Sequence, residues 1–256
     1  MYIYICDGAG TANLPPQDPR SILAPVADRL RWKTGATIHN THWQASLMGV
    51  GGTTPWPQAS DHAVTHIADH MRTHTDHAIL LGFSAGCRPV RELTERHPEL
   101  RDRIAAVGML ADPWQPRSRQ QHGIGDSNGW GIMGERLGAV PDRTYWCGHI
   151  SDPICRAAPD SLLRYITPAA DVLPGQFIAS FIDHAHKGRL QLIPFLGLPL
   201  HEWFFGLGPR IDRTIREANS YLGDGHTRVY TEPFLTPGDT RSLAHRLADT
   251  IAWAVR

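Results

Sequence analysis

Gly82-Phe83-Ser84-Ala85-Gly86 sets a serine between two glycines at G-x-S-x-G spacing, directly after the apolar run Ala78-Ile79-Leu80-Leu81. A buried strand that ends here and turns sharply into a helix would hold the Ser84 hydroxyl at the tip of the turn, with the glycines letting strand and helix approach. Serine is a poor nucleophile at neutral pH. It needs a base to take its proton and an acid to orient that base. In a nucleophile-elbow site the chain order is serine, acid, histidine. The acid follows a strand beyond the neighbour of the nucleophile strand. That singles out Asp152, the first loop acid after the strand predicted at Arg143–Gly148. Asp112, after the intervening strand, ranks second; Asp171 and Asp183 rank lower. The base belongs on a late loop. His226, among glycines ahead of the last helix, fits better than His245 inside that helix or His201 in a preceding apolar segment. The oxyanion needs donors. One is the Ala85 backbone N–H, next to the nucleophile. The other belongs to Gly8-Ala9-Gly10-Thr11 after the first strand, where the Thr11 hydroxyl could help.

Two other clusters could carry chemistry. His62, His66, His70 and His74 recur every four residues along one predicted helix. Histidines at i, i+4 can chelate a metal. A solvated helix face is the stronger reading, so neither a metal nor a cofactor is expected. The four cysteines, Cys6, Cys87, Cys147 and Cys155, include no C-x-x-C pair, which argues against a zinc ribbon and a disulfide scaffold. Cys147 and Cys155 are near enough in sequence to bridge.

The elements that must position these residues alternate between strand and helix. Strands are predicted at Met1–Cys6, Ala36–Trp43, His77–Phe83, Ile104–Leu110 and Arg143–Gly148. Helical periodicity marks Ser21–Trp32, Asp61–His74 with Ser60 as N-cap, Ala85–His97, and a closing helix from about Asp239 to Val255. Gly49–Pro57 and Trp114–Gly131 read as loops. Such alternation means a mostly parallel sheet covered by helices on both faces, with ligands bound at the strand C-termini. Residues 157–222 break the rhythm. They read as an inserted helical cap or linker, leaving 1–156 and 223–256 as the α/β core. The apolar Leu192–Gly208 within the insertion holds prolines, glycines, His201 and Glu202, which argue against a membrane span.

A length of 256 residues with 41% hydrophobic and 20% charged residues is enough for a large core, and zero net charge gives no electrostatic footprint for nucleic acid. Met1–Asp7 reads as a strand and lacks the basic start and apolar stretch of a signal peptide.

With these residues placed, the chain resembles the cutinase-like serine esterases of the α/β-hydrolase superfamily, and among them the lysin B proteins of mycobacteriophages. The resemblance rests on Gly82-Phe83-Ser84-Ala85-Gly86, the Gly10-Thr11 turn, Asp112-Pro113 through Arg119-Gln120 to Gly123-Ile124, and Asp152-Pro153-Ile154-Cys155. His226 with Tyr230 four residues later and the closing helix complete it. The long interval from Asp152 to His226 looks like lysin B rather than a compact cutinase. The resemblance implies a serine esterase that cleaves the ester joining mycolic acids to arabinogalactan during phage-induced host lysis. It implies a monomer made in the host cytoplasm without a signal peptide, acting at the envelope in peripheral contact with the mycobacterial outer membrane. The partner would be mycolyl-arabinogalactan or another long-chain acyl ester. Some members carry an N-terminal peptidoglycan-binding module, for which the immediate first strand leaves no room. Cys147 and Cys155 bracket Asp152 as a cutinase disulfide does, and bridged or reduced thiols both fit. Two alternatives stand beside this reading: a cutinase- or lipase-type esterase for free lipids or polyesters, and a non-enzymatic envelope-binding module.

Overall fold

Strand residues that are apolar without alternation belong in a sheet covered on both sides. All six residues of β3 (Ala78–Phe83) and six of the seven of β4 (Ile104–Leu110) are buried. The computed structural model describes residues 1–11, 18, 20–39, 41, 43–46, 51–120, 128–138, 140–166, 207–233 and 238–256. Within them, β1 (Tyr2–Cys6), β2 (Thr37–His39), β3, β4 and β5 (Thr144–Cys147) form one all-parallel sheet in the order β2-β1-β3-β4-β5. One face packs α2 (Trp56–Thr73) and α3 (Cys87–Arg96) over Leu80, Val107 and Met109. The other packs α1 (Ala24–Thr34) and the closing helix Leu243–Ala254 over Ile79, Leu81 and Leu110.

This order fixes where a site can form. The chain steps outward from β1 to β2 in one direction and from β3 to β5 in the other. The reversal leaves a crevice outside the carboxyl ends of β1 and β3. Cys6 pairs with Gly82 across that end, so the loop after β1 and the turn at Ser84 are neighbours.

Several boundaries differ from those expected. β2 ends at His39 rather than Trp43. Trp43 instead turns inward and donates its indole N–H to the Asp7 carbonyl at 2.6 Å. α2 starts at Trp56, five residues before the expected Asp61, because Pro57 falls in its first turn, where a missing N–H costs nothing. Ser60 is therefore inside the helix and donates its hydroxyl to Glu92 at 2.7 Å instead of capping. The closing helix is capped by Ser242, whose hydroxyl accepts the His245 N–H, and not near Asp239. Asp239 is instead paired with Arg241 and Arg246.

Of the interval 157–222, the short helix Leu163–Ile166 and the helix Leu207–Leu222 are described. Asp171, Asp183, His201 and most of Leu192–Gly208 lie outside the described residues. The second of these helices meets the chain just ahead of the first, where the interval begins. Glu217 accepts the Ala158 N–H at 2.9 Å and the Ser161 hydroxyl, and Arg213 pairs with Asp160. Among the described residues no helix is long and apolar enough to cross a membrane.

The histidine stripe on α2 is not the solvated face expected. Of the four, only His62 is exposed; the others are half-buried against the β1–β2 edge. His39 lies 3.8 Å from His70 and 5.2 Å from His66 between ring centroids, and His70 lies 3.9 Å from His74. Tyr4 is in hydrogen-bond contact with His70 Nδ1 at 2.7 Å. Among the described residues no group of three or more His, Cys, Asp or Glu side chains is arranged to hold a metal ion. Burial, with His74 and His66 alongside, pushes the His70 imidazole below its ordinary value of 6.5. The unfolded chain therefore binds this proton more readily than the folded one. The stabilisation is complete above 6.5 and is lost as the pH falls below it. His70→Gln keeps a partner for Tyr4 and removes the titration. Urea unfolding at about pH 8 and about pH 5.5 is expected to show a smaller loss of stability on acidification for this variant than for the wild type. Equal losses would refute the assignment.

Candidate active site

The sharp turn after β3 is built by close backbone approach. A Cβ on Gly86 would stand 1.9 Å from the Cys6 carbonyl oxygen, and one on Gly82 would stand 2.8 Å from the Cys87 Cα. No side chain fits at either place. Ser84 takes φ of +52°, a left-handed conformation that L residues adopt at a cost of order 1–3 kcal/mol. The turn Ser84–Gly86 is 3-10, and α3 continues from Cys87.

Ser84, Asp152 and His226, read from three separate stretches of sequence, lie together. His226 Nε2 is 2.8 Å from Ser84 Oγ. His226 Nδ1 is 3.0 Å and 3.1 Å from the two oxygens of Asp152. Asp152 is wholly buried, and His226 and Ser84 are each 7% exposed. An ionised carboxylate only accepts, so it holds the imidazole proton on Nδ1 and leaves the Nε2 lone pair facing the serine hydroxyl. His226 does not sit in an irregular loop. It ends a 3-10 turn, Asp224–His226, followed by a short helix, Arg228–Thr231. Phe83 lies nearly parallel to its ring at 5.0 Å between centroids, and Tyr221 lies at 4.9 Å.

Asp152 N-caps α4 (Pro153–Arg156), accepting the Ile154 N–H at 2.9 Å. It also accepts the Tyr230 hydroxyl at 2.6 Å. Tyr230 stood in the sequence as part of a resemblance, without a role. Phe83 and Tyr221 were missed altogether, since an aromatic beside a histidine has no sequence period.

The loop after β1 is held from within. Buried Asp7 accepts the Gly8 N–H at 2.8 Å, the Leu23 N–H at 3.3 Å and the Ser21 hydroxyl. Burial pushes its carboxyl above the ordinary range despite these donors. The Gly10 N–H goes to the Ala45 carbonyl at 2.9 Å. The Thr11 N–H and hydroxyl are both directed at the Gly8 carbonyl. Among the described residues the Ala9 N–H is the one donor of this loop without a partner. Ala85 is buried, and its N–H stands at the start of the 3-10 turn, where no helical acceptor precedes it.

The four cysteines are free and buried, so Cys147 and Cys155 do not bridge. Burial pushes all four thiols well up.

No protein-family model matches the chain, and no curated protein does. Among solved structures, the crystal structure of lysin B from Mycobacteriophage D29 is similar over 86% of this chain and 88% of that one, with a TM-score of 0.52 and 12% identity. A pyrethroid hydrolase, PytH with BIF, is similar over 44% of this chain and 39% of its own, with a TM-score of 0.27 and 21% identity. Its S78A form covers 56% and 46%, with a TM-score of 0.28 and 18% identity. The five-stranded parallel sheet flanked by helices, together with the likeness to the first of these, defines an α/β-hydrolase fold.

Asp112, the second-ranked acid, is engaged elsewhere. It is fully buried against Arg91 of α3, whose Nε stands 3.2 Å from both carboxylate oxygens. The Trp146 indole and the Trp114 N–H complete its partners at 2.9 and 3.0 Å. Arg91 was missed, although a charged residue on the apolar stripe of Cys87, Val90 and Thr94 signals a buried partner. The two acids should therefore behave differently. Asp112→Asn leaves a buried guanidinium uncompensated and is expected to cost about 3–5 kcal/mol, read from urea unfolding. Asp152→Asn, whose Ile154 and Tyr230 partners are neutral donors, is expected to cost less than half as much. Equal costs would contradict this division.

Proposed function

We propose that this protein is a serine esterase that releases mycolic acids from arabinogalactan at the mycobacterial envelope. The observation that carries the reading is the unbroken contact from Ser84 Oγ to His226 Nε2 at 2.8 Å and from His226 Nδ1 to Asp152 at 3.0 Å. In this reading Ser84 Oγ attacks the ester carbonyl carbon while its proton passes to His226 Nε2. Asp152 stabilises the imidazolium. The carbonyl oxygen gains the negative charge and is met by the Ala85 N–H and a donor from the Gly8–Thr11 loop. Ala9 can donate as it stands, whereas Thr11 must first release Gly8. The tetrahedral species collapses, the C–O bond to the sugar breaks, and the sugar oxygen takes the proton from His226. Water then attacks the acyl-serine with His226 again as base. The free acid leaves, and Ser84 regains its proton.

The substrate assignment is supported by the ordered motifs, by the long interval between Asp152 and His226, and by a fold shared with a protein named lysin B. On this reading the protein acts during phage-induced lysis, reaches the envelope after release from the host cytoplasm, and touches the mycobacterial outer membrane peripherally as a monomer.

Wild type and Ser84→Ala should be compared on p-nitrophenyl butyrate and on purified mycolyl-arabinogalactan. Ser84→Ala is expected to lower kcat by roughly 10⁵–10⁶-fold with the fold intact. The wild type is expected to release free mycolic acid. Ester cleavage without mycolic acid release would point to a lipase- or cutinase-type substrate. No cleavage, and no labelling by a fluorophosphonate probe, would reduce the chain to a binding module.

A further inference from the structure

The site contains a fourth side chain whose placement is as specific as the other three. Tyr230 is completely buried, and its phenol has one proton to give. That proton goes to Asp152 Oδ2, 2.6 Å away. The phenol oxygen in turn accepts the His149 N–H at 3.1 Å and lies 3.4 Å from Cys155 Sγ. Both neighbours belong to the segment that carries Asp152. The direction of the bond to Asp152 is thereby set, because the backbone N–H occupies the oxygen as a donor and an ionised carboxylate can only accept.

Chain geometry explains how one segment serves two ends of the same carboxylate. His226 ends a 3-10 turn, and the short helix Arg228–Thr231 returns Tyr230 four residues later. Asp152 Oδ1 takes the Ile154 N–H, Oδ2 takes the phenol, and His226 Nδ1 lies between them. The carboxylate is gripped at both oxygens and cannot rotate away from the imidazole.

We propose that Tyr230 is a positioning residue for the Ser84–His226–Asp152 site: its hydroxyl fixes the Asp152 carboxylate and draws off part of the charge that His226 faces. This rests on reading that site as the catalytic one. A strong hydrogen bond to one oxygen spreads the carboxylate charge, so less of it is left to act on the imidazole. The titratable groups around Asp152 are His226, His149, Tyr221, Tyr230 and Cys155, with Arg156 beside the last. Burial and the nearby carboxylate push the Tyr230 phenol well up, and burial does the same to the Cys155 thiol. Burial pushes the His149 imidazole down. Tyr230 therefore stays a neutral donor at every pH at which the site works.

Tyr230→Phe removes the hydroxyl and keeps the ring packed against Phe83. On p-nitrophenyl butyrate, kcat is expected to fall about tenfold with KM nearly unchanged, and the acid limb of kcat/KM against pH is expected to move to higher pH. A merely structural role would lower activity at every pH without moving the limb. The same titration can be followed without turnover through the low-field proton resonance of the His226 Nδ1–H, assigned by its loss in Asp152→Asn. Its midpoint is expected to rise in Tyr230→Phe. A folded variant with an unmoved midpoint overturns the proposal. A moved midpoint in a protein that cleaves no ester supports the coupling while the esterase reading itself fails.

Discussion

Among the described residues, Asp112 and Asp152 are completely buried at the carboxyl end of this sheet, and the difference between their surroundings governs what each can do. Burying an ionised group is costly unless charge or hydrogen bonds replace the water it loses. Asp112 meets a permanent cation, Arg91, together with an indole and a backbone N–H. Its charge is cancelled at all times. Asp152 meets a backbone N–H, a phenol and an imidazole. Two of these partners are neutral, and the third becomes positive only when it is protonated. Asp152 is therefore a place where positive charge is missing, and where an imidazolium that forms on His226 is stabilised as it appears. The same chemical group one strand apart is a brace in one case and an electrostatic partner for proton transfer in the other.

The rest of the architecture brings that unbalanced carboxylate into line with a strained serine. The order β2-β1-β3-β4-β5 opens the sheet between the ends of β1 and β3, where Ser84 is presented. Asp152 arrives from beyond β5, and His226 spans the distance. The strand ends can lie so close only because Gly86 offers nothing against the Cys6 carbonyl. Ser84 at φ +52° is held there by β3 on one side, which is buried in both apolar layers, and by α3 on the other, which is buried in one of them. Backbone strain of this kind persists where the surrounding packing over-determines it.

The parts written in continuous apolar runs were legible in the sequence. β4 begins and ends at the expected residues, Ile104 and Leu110, and the elbow after β3 lies where G-x-S-x-G put it. Ser84, Asp152 and His226 could be grouped because chain order limits which loops reach the top of β3. Tertiary contacts hid the rest. Ser60 looked like a cap until Glu92 claimed its hydroxyl, and Trp43 looked like strand until the Asp7 carbonyl took its indole N–H. Thr11 looked like an oxyanion donor, yet its hydroxyl and N–H both face Gly8. The α2 histidines looked solvated because β2, which covers them with His39, is an edge strand of three residues with a weak signal of its own. Apart from Thr11, whose partner is three residues away, the deciding partner lies far along the chain.

The long interval between acid and base follows from the same constraints. Asp152 is fixed by its own loop and by Tyr230, and His226 is fixed by Phe83, Tyr221 and Asp152. What lies between them need only leave and return at one place. Glu217 and Arg213 on the helix Leu207–Leu222 fasten that helix to residues 158–161, where the interval begins. Ser220 of the same helix donates to the Ser151 carbonyl at 2.6 Å, next to the acid itself. Closing a loop whose ends are pinned costs only slowly more as it lengthens, by about 0.6 kcal/mol for each doubling. An excursion of any size at this point leaves the distance from Asp152 to His226 untouched. The fastened helix also supplies Tyr221, 4.9 Å from the imidazole between ring centroids, so the place where the chain returns is joined directly to the group that takes the proton.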